Sequence, residues 1–228
     1  MTSDQVRVFL DADVLAAPMT RTLLIVTSTK RGSRFQVCWS QAVEWEADRA
    51  LRPGQTPVAE VRGRFDWGTA VLGPAATPEA MEALSDTAAT DRHVLAAAKA
   101  AGIRVLVTRN VQDFGRGDLG DLGVSAVHPD LFLAHMLGEA EYRQSLAAMA
   151  AGRLRPPNTP ETLHAALGSG HPRLFEAMRT VFAGVEPAAS PDSPPAEVFR
   201  GNRCLVCGKP LSDPGSLAVG VGPECRRR

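Results

Sequence analysis

The chain has 228 residues, 44% of them hydrophobic, with Lys+Arg and Asp+Glu both at 25. This length buries one substantial core and still carries a small appendage. The balanced charge excludes an overall field that would draw the chain to nucleic acid or to a membrane, so any nucleic-acid contact has to come from a local patch. No stretch approaches the roughly 20 apolar residues of a bilayer span. The opening MTSDQVRVFLDAD turns acidic where a signal peptide stays apolar, which predicts a cytoplasmic protein with no membrane partner. Four cysteines make no disulfide framework, and Cys204, Cys207 and Cys225 lie together in the tail, the pattern of a metal site.

Residues 5–10 (QVRVFL) read as a strand ending at Asp11, and residues 12–26 continue with helical spacing broken at Pro18. FQVCWS at 35–40 predicts a second strand. A helix follows it, with an inward face of Val43, Glu46 and Ala50. After a Pro/Gly-punctuated middle from Pro53 to Pro78, DRHVLAAAKAAGIRVLVTRN reads as a helix, a glycine stop at Gly102 and a strand at 103–108. A last strand is expected at 124–128. Such alternation predicts an α/β layered domain, with active groups collected beyond the C-terminal ends of the strands. Residues 130–184 carry helical patterns separated by proline and glycine signals. EPAASPDSPP then marks a stiff, solvated linker, followed by what reads as a separate small unit.

Acidic groups gather where this reading places the strand ends. Asp11 closes one strand, Glu46 sits on the next helix, Asp91 opens another helix, and Asn110 and Asp113 follow a third strand. Converging carboxylates raise each other's pKa unless a cation neutralises them. Oxygen donors with few histidines favour Mg²⁺ or Mn²⁺ over Zn²⁺, and such ions serve phosphodiester hydrolysis. Taken singly, each acid also has a plain reading as a cap or turn residue. Glu44 replaces Glu46 if the helix face is rotated.

The stretches VFLDADVL, WSQAVEWEADRAL, DRHVLAAAKAAGIRVLVTRNVQDF and AVHPDLFL occur in this order at suitable spacing. Together they resemble the signature blocks of PIN-domain ribonucleases, particularly the VapC-like toxins of bacterial toxin–antitoxin pairs, over roughly residues 5–135. The helical region beyond resembles the extension of one VapC-like subgroup. This resemblance implies Asp11, Glu46 and Asp91 as catalytic residues and primary ligands of Mg²⁺ or Mn²⁺, with Asn110 and Asp113 as further ligands. It also implies RNA as substrate and a cognate antitoxin as partner, and it leaves a homodimer open. Asp13 stands where the family often has asparagine, and either adds a carboxylate or caps the helix. Thr108 either hydrogen-bonds a ligand carboxylate or fills a pleated position. Asp86 is either near the metals or in a solvated turn. His93 reads as packing or capping rather than as a base.

Arg21, Lys30, Arg31 and Arg34 form a basic cluster that an RNA strand can track, with Arg92 beside Asp91 as a further phosphate contact. A solvated charge run is the plainer explanation. Trp39, Trp45 and Trp67 either stack bases or, more simply, fill the core. The tail CLVCGKPLSDPGSLAVGVGPEC carries a C-x-x-C-G knuckle at Cys204 and Cys207 with Cys225 as third thiolate, and it resembles a small module appended to various bacterial and phage proteins. This predicts a Zn²⁺ site whose fourth ligand is open among Asp213, Glu224, a histidine and Cys38.

The expected architecture is thus α/β. A PIN-like parallel sheet flanked by helices spans 1–130, a helical extension 131–185, a Pro/Ser-rich linker 186–200 and a zinc-binding tail module 201–228. The expected function is a metal-dependent endoribonuclease, the toxin of a VapBC-like pair. The alternatives are an inactive nucleic-acid- or protein-binding adaptor and a PIN nuclease of RNA processing.

Overall fold

Strands and helices alternate through the first half of the chain. β1 (Val6–Leu10) is followed by α1 (Ala12–Leu15) and α2 (Pro18–Ser28). The break falls at Pro18 because proline has no amide to continue α1 and instead occupies the first turn of α2, where none is needed. β2 (Phe35–Cys38) leads into α3 (Gln41–Ala50), α4 (Val58–Arg64) and α5 (Pro78–Glu82). α6 (Arg92–Ala100) stops just before Gly102, whose φ of +68° is the left-handed conformation that glycine adopts without a Cβ penalty. The chain then enters β3 (Val105–Val107), a 3₁₀ turn (Val111–Asp113), α7 (Arg116–Leu122) and β4 (Ser125–Val127). The computed structural model describes residues 5–64, 72–152, 158–189 and 197–226, so Trp67 and residues 190–196 of the expected linker lie outside the described residues.

The sheet has the order β2-β1-β3-β4, all parallel, with Val8 opposite Val37 and Val105, and Leu106 opposite Ala126. Apart from Val6, Arg7 and Gln36 near the start of β1 and β2, these strands are buried on both faces, which is why they read as apolar runs rather than alternating ones. Asp11, Thr108 and His128 each follow the last residue of a parallel strand, so pairing alone brings them to one edge. The fold is the expected mixed α/β one, a mostly parallel sheet flanked by helices.

α8 (Pro129–Met136), α9 (Glu139–Ala151), α10 (Pro160–Gly170) and α11 (Pro172–Ala177) form the helical region. α9 packs on α2, where Thr27 Oγ1 and Ser145 Oγ share a 3.0 Å hydrogen bond, and α11 packs on α8. At the centre of these helices His164 stacks on Phe175 and meets the Tyr142 hydroxyl at 3.0 Å. Their buried faces join the same apolar core as the strands.

The segment after the linker also contributes to the sheet. β5 (Phe199–Arg200) adds to the sheet antiparallel to β4, with Val127 opposite Phe199, and α12 (Pro214–Val219) and α13 (Pro223–Arg226) follow. Two residues are too short a run to show as a strand from sequence, and the partner supplies the pattern. Phe199, Leu205 and Val221 belong to the common core. Arg200 fastens the junction, its Nη1 donating to the carbonyls of Phe114 and Gln112 at 2.8 and 3.0 Å, while Glu197 pairs with both Arg116 and Arg200. Among the described residues no helix is long and apolar enough to cross a membrane.

Replacing Phe199 by alanine deletes the ring that pins the tail to β4, and is expected to cost about 3–5 kcal/mol. Urea unfolding followed by tryptophan fluorescence and limited proteolysis measure this. An unchanged midpoint would show that the tail folds independently of the sheet.

Candidate active site

β1 and β3 end side by side, and the Asp11 amide donates to the Val107 carbonyl at 3.0 Å. The buried Asp11 carboxylate is then held at both oxygens. Oδ1 accepts from the Ala12 amide at 2.7 Å, capping α1, and Oδ2 accepts from the Thr108 hydroxyl at 2.7 Å. Thr108 is thus a hydrogen-bonding partner of the carboxylate, and its own oxygen accepts from the Asn110 amide at 3.1 Å. Asp13, two residues on, accepts from the Arg109 amide at 2.9 Å through Oδ2, while its buried Oδ1 has no partner.

Burial pushes the Asp11 carboxyl well above the usual carboxylate range, and the Asp13 charge pushes it further, against the Thr108 and Ala12 hydrogen bonds. The charge of Asp91 adds to the same upward shift. Burial likewise raises Asp13 to about 6, opposed by the amide and charge of Arg109. Two desolvated acids with an orphaned oxygen between strand ends are a site that takes up either protons or a cation.

α3 presents Val43, Glu44 and Ala47 to the interior, not Val43, Glu46 and Ala50. The face is rotated because Glu44 finds partners inside. Its Oε2 accepts from the Trp39 indole and from Arg62 Nε, both at 2.9 Å, and its Oε1 accepts from Arg62 Nη2 at 3.2 Å. Glu46 is consequently half-exposed, with Oε2 3.2 Å from His93 Nε2, and the His93 Nδ1 lies 2.9 Å from the Thr90 carbonyl. Asp91 begins α6 and accepts from the Thr90 hydroxyl at 2.6 Å. Asp11 and Asp91 are near enough to interact electrostatically, and Glu46 meets His93, two residues after Asp91. Their carboxylate oxygens do not all lie within 4.8 Å of one another; among the described residues only the three cysteines gather so closely.

The loop carrying Asp91 is set by a residue that the sequence reading passed over. The buried Asp118 carboxylate accepts from the amides of Ser85, Asp86 and Thr87 at 3.3, 3.0 and 2.7 Å. Although burial works against its charge, these bonds, with that of the Thr87 hydroxyl, hold the Asp118 carboxyl below its ordinary value. Asp86 in turn accepts from the Gly117 amide at 2.8 Å, and the Ala88 amide donates to the Asp113 carbonyl. No short-range signal in GDLGDLG marks Asp118, because its partners lie more than 30 residues away. Arg109 was also missed, though its place directly after Thr108 puts it at the strand edge. Asn110 is exposed and precedes the 3₁₀ turn that contains Asp113.

The expected basic ridge is broken at Arg21. This residue is 2% exposed, its Nη2 donates to the Thr56 carbonyl, and its charge faces Asp48, so it is no surface contact. It lies on the inward face of α2, which the basic composition of the segment conceals. Arg31 and Arg34 line a separate cleft with Lys30 and Glu141, and Arg92 donates to the Thr87 carbonyl at 3.2 Å. Trp39 is core, as the plainer reading has it, but Trp45 is 60% exposed. It borders an open groove of about 790 Å³ together with Glu46, Arg49, Thr90 and His93.

In the tail, the sulfurs of Cys204, Cys207 and Cys225 lie within 4.8 Å of one another. Burial opposes ionisation of Cys204, but the amides of Cys207, Gly222 and Val206 outweigh it and lower its pKa. Burial and the neighbouring thiols push Cys225 up to about 12. Three such thiols can lose their protons together only around a cation, so this is a fit metal site. Cys38 is buried in β2, Asp213 caps α12 through the Ser216 amide, and Glu224 pairs with Lys209 at 3.3 Å, so none of these joins the cluster.

Residues 194–228 match a family of unknown function, DUF6011. Over 103 residues the chain is 36% identical to the "Putative ribonuclease VapC50" of Mycobacterium tuberculosis, covering 44% of this chain and 59% of that protein. The chain therefore spans about three fifths of the curated relative it matches. No solved structure matches it. The likeness to VapC50 supports a VapC-like relationship for part of the chain.

Because the Asp13 carboxyl is raised in the folded state, its contribution to stability is present below the unfolded value near 3.8 and is lost as pH rises through about 6. Without divalent ions, thermal melting is expected to show this loss between about pH 4 and pH 7. Asp13→Asn should flatten that part of the profile. Identical profiles for the two proteins would remove Asp13 from the site.

Proposed function

We propose that the chain is a divalent-metal-dependent endoribonuclease of VapC type, the toxin of a toxin–antitoxin pair. The observation that carries this reading is the pair Asp11 and Asp13, desolvated at the C-terminal edge of a parallel sheet, sharing Thr108 and leaving one buried oxygen without a partner. Hard carboxylate donors of this kind suit Mg²⁺ or Mn²⁺. Asp11, Glu46 and Asp91 are the proposed principal ligands, with Asp13, Asn110 and Asp113 around them. A divalent ion held there supplies charge neutralisation and activation of water for attack on a phosphodiester.

The chain's own residues do the positioning. Thr108 fixes the rotamer of Asp11, Asp118 fixes the loop before Asp91, and His93 holds Glu46 toward the same edge. Trp45 offers an indole face on which an unpaired base can stack, beside Arg49 for a phosphate. Such a platform suits single-stranded RNA. In the tail we assign Zn²⁺ to Cys204, Cys207 and Cys225, since soft thiolates in a knuckle select it. An antitoxin that silences the enzyme would occupy the groove next to Glu46.

Purified protein with Mn²⁺ or Mg²⁺ is expected to cleave RNA, and the activity should disappear with EDTA and in Asp11→Asn and Asp91→Asn. Thr108→Val should lose roughly 10–100-fold. Trp45→Ala should raise KM more than it lowers kcat. If wild type and the Asp11 and Asp91 variants were equally inactive across metals and RNAs, the nuclease reading would fall.

Metal analysis of the purified protein should find about one zinc per chain, lost in Cys207→Ser. Full retention of zinc in that variant would exclude the cysteine assignment.

A further inference from the structure

The edge of the sheet opposite the carboxylates carries a second site. A pocket of about 440 Å³ opens between the N-terminal ends of β1 and β3 and the cysteine knuckle, and Arg7, Arg104, Arg203 and Ser125 are among its lining residues. No acidic residue lines it. Among the described residues no carboxylate forms an ion pair with any of the three arginines. Arg7 donates to the Ala101 carbonyl and Arg203 to the Gly208 carbonyl, which leaves further donors on each guanidinium, and among the described residues the Arg104 side chain makes no hydrogen bond. The Ser125 hydroxyl is buried without a partner.

Gly208 explains how the third guanidinium reaches this place. A Cβ at this position would stand 2.7 Å from Arg104 Nη1, so glycine lets the knuckle close directly over the arginine. The tail therefore completes the pocket as well as extending the sheet. Three forked cations and a spare hydroxyl around one cavity, with no carboxylate of the protein among its lining residues, match the oxygen-rich geometry of phosphate.

We propose that this pocket binds the phosphate backbone of RNA, holding the strand away from the acidic edge. The partner being RNA rests on the ribonuclease reading. A chain with no net charge needs a local patch to hold a polyanion, and the ridge expected around Arg21 is broken there, its remaining Lys30, Arg31 and Arg34 sharing a cleft with Glu141, whereas no acid lines this pocket. The two sites lie about one strand apart, roughly 17 Å for five residues, so one strand of RNA passing around the sheet reaches both.

The test uses the full-length, zinc-loaded Asp11→Asn protein, which separates binding from cleavage, and a labelled single-stranded RNA followed by fluorescence anisotropy from 50 to 300 mM KCl. Arg104→Ala in this background is expected to weaken binding about tenfold and to reduce the salt slope by about 0.7, the share of one phosphate contact. Arg104→Lys should recover most of the slope. Arg203→Ala, checked by thermal melting because it also loses the Gly208 bond, should behave like Arg104→Ala. Arg179→Ala, a surface arginine paired with Glu176, should change neither quantity.

The proposal is overturned if Arg104→Ala and Arg203→Ala bind RNA like the parent, or if Arg179→Ala loses as much as they do. It is also overturned if inorganic phosphate or polyglutamate binds in an Arg104-dependent way while RNA does not, since the pocket would then serve a small anion or an acidic protein. RNA binding that depends on Arg104 in a protein whose wild type cleaves nothing would leave this site standing and remove the nuclease.

Discussion

Asp11 leaves β1 with one oxygen tied to its own helix and the other to the next strand, in a place where water is excluded. The arrangement is possible only because β1 and β3 run parallel and end in register, so that Thr108 arrives with its hydroxyl 2.7 Å from the carboxylate. A one-residue slip in that pairing would turn Thr108 to the other face and leave Asp11 half-satisfied in the interior. The electrostatic character of the whole edge follows from it. Asp13 and Asp91 interact with a charge that burial already disfavours, and the Thr108 hydroxyl relieves it only in part.

Around this edge the supporting bonds are long-range and mostly to backbone. Asp118 gathers three amides of the loop before Asp91, and Arg200 reaches from β5 to the carbonyls beside Asp113. The acids are therefore presented by segments that several parts of the chain hold in common, which is how a site with little regular structure of its own keeps its shape. The tail belongs to this support. Its strand, its apolar residues and its arginine all engage the α/β part.

Much of this was legible in the sequence. Apolar runs ending in Asp11 and Thr108, a proline break at Pro18 and a glycine stop at Gly102 each carry a local physical signature, and the elements form there. Asp91 was placed at a helix start by the same logic. The rotation of α3 was not legible, because the charge that pairs with Glu44 inside is that of Arg62, 18 positions away, beside the nearer Trp39 indole. Nor was the burial of Arg21, whose carbonyl partner lies 35 positions on. β5 escaped notice because Val127 recruits it across the helical region, and Trp45 because nothing in the order of residues says that the surface around it stays open.

β5 also closes a boundary of the sheet. Without it, β4 would end the sheet as a row of free amides and carbonyls on a fully buried, apolar strand, with Phe199 no longer covering the core behind it. A bare edge of that composition pairs readily with another copy of itself. The tail thus covers a β4 edge that would otherwise be open to pairing, and a shortened chain would pass from a folding problem to a colloidal one. A cation taken up by the three cysteines would, by holding the knuckle shut, then bear on how long the molecule stays in solution.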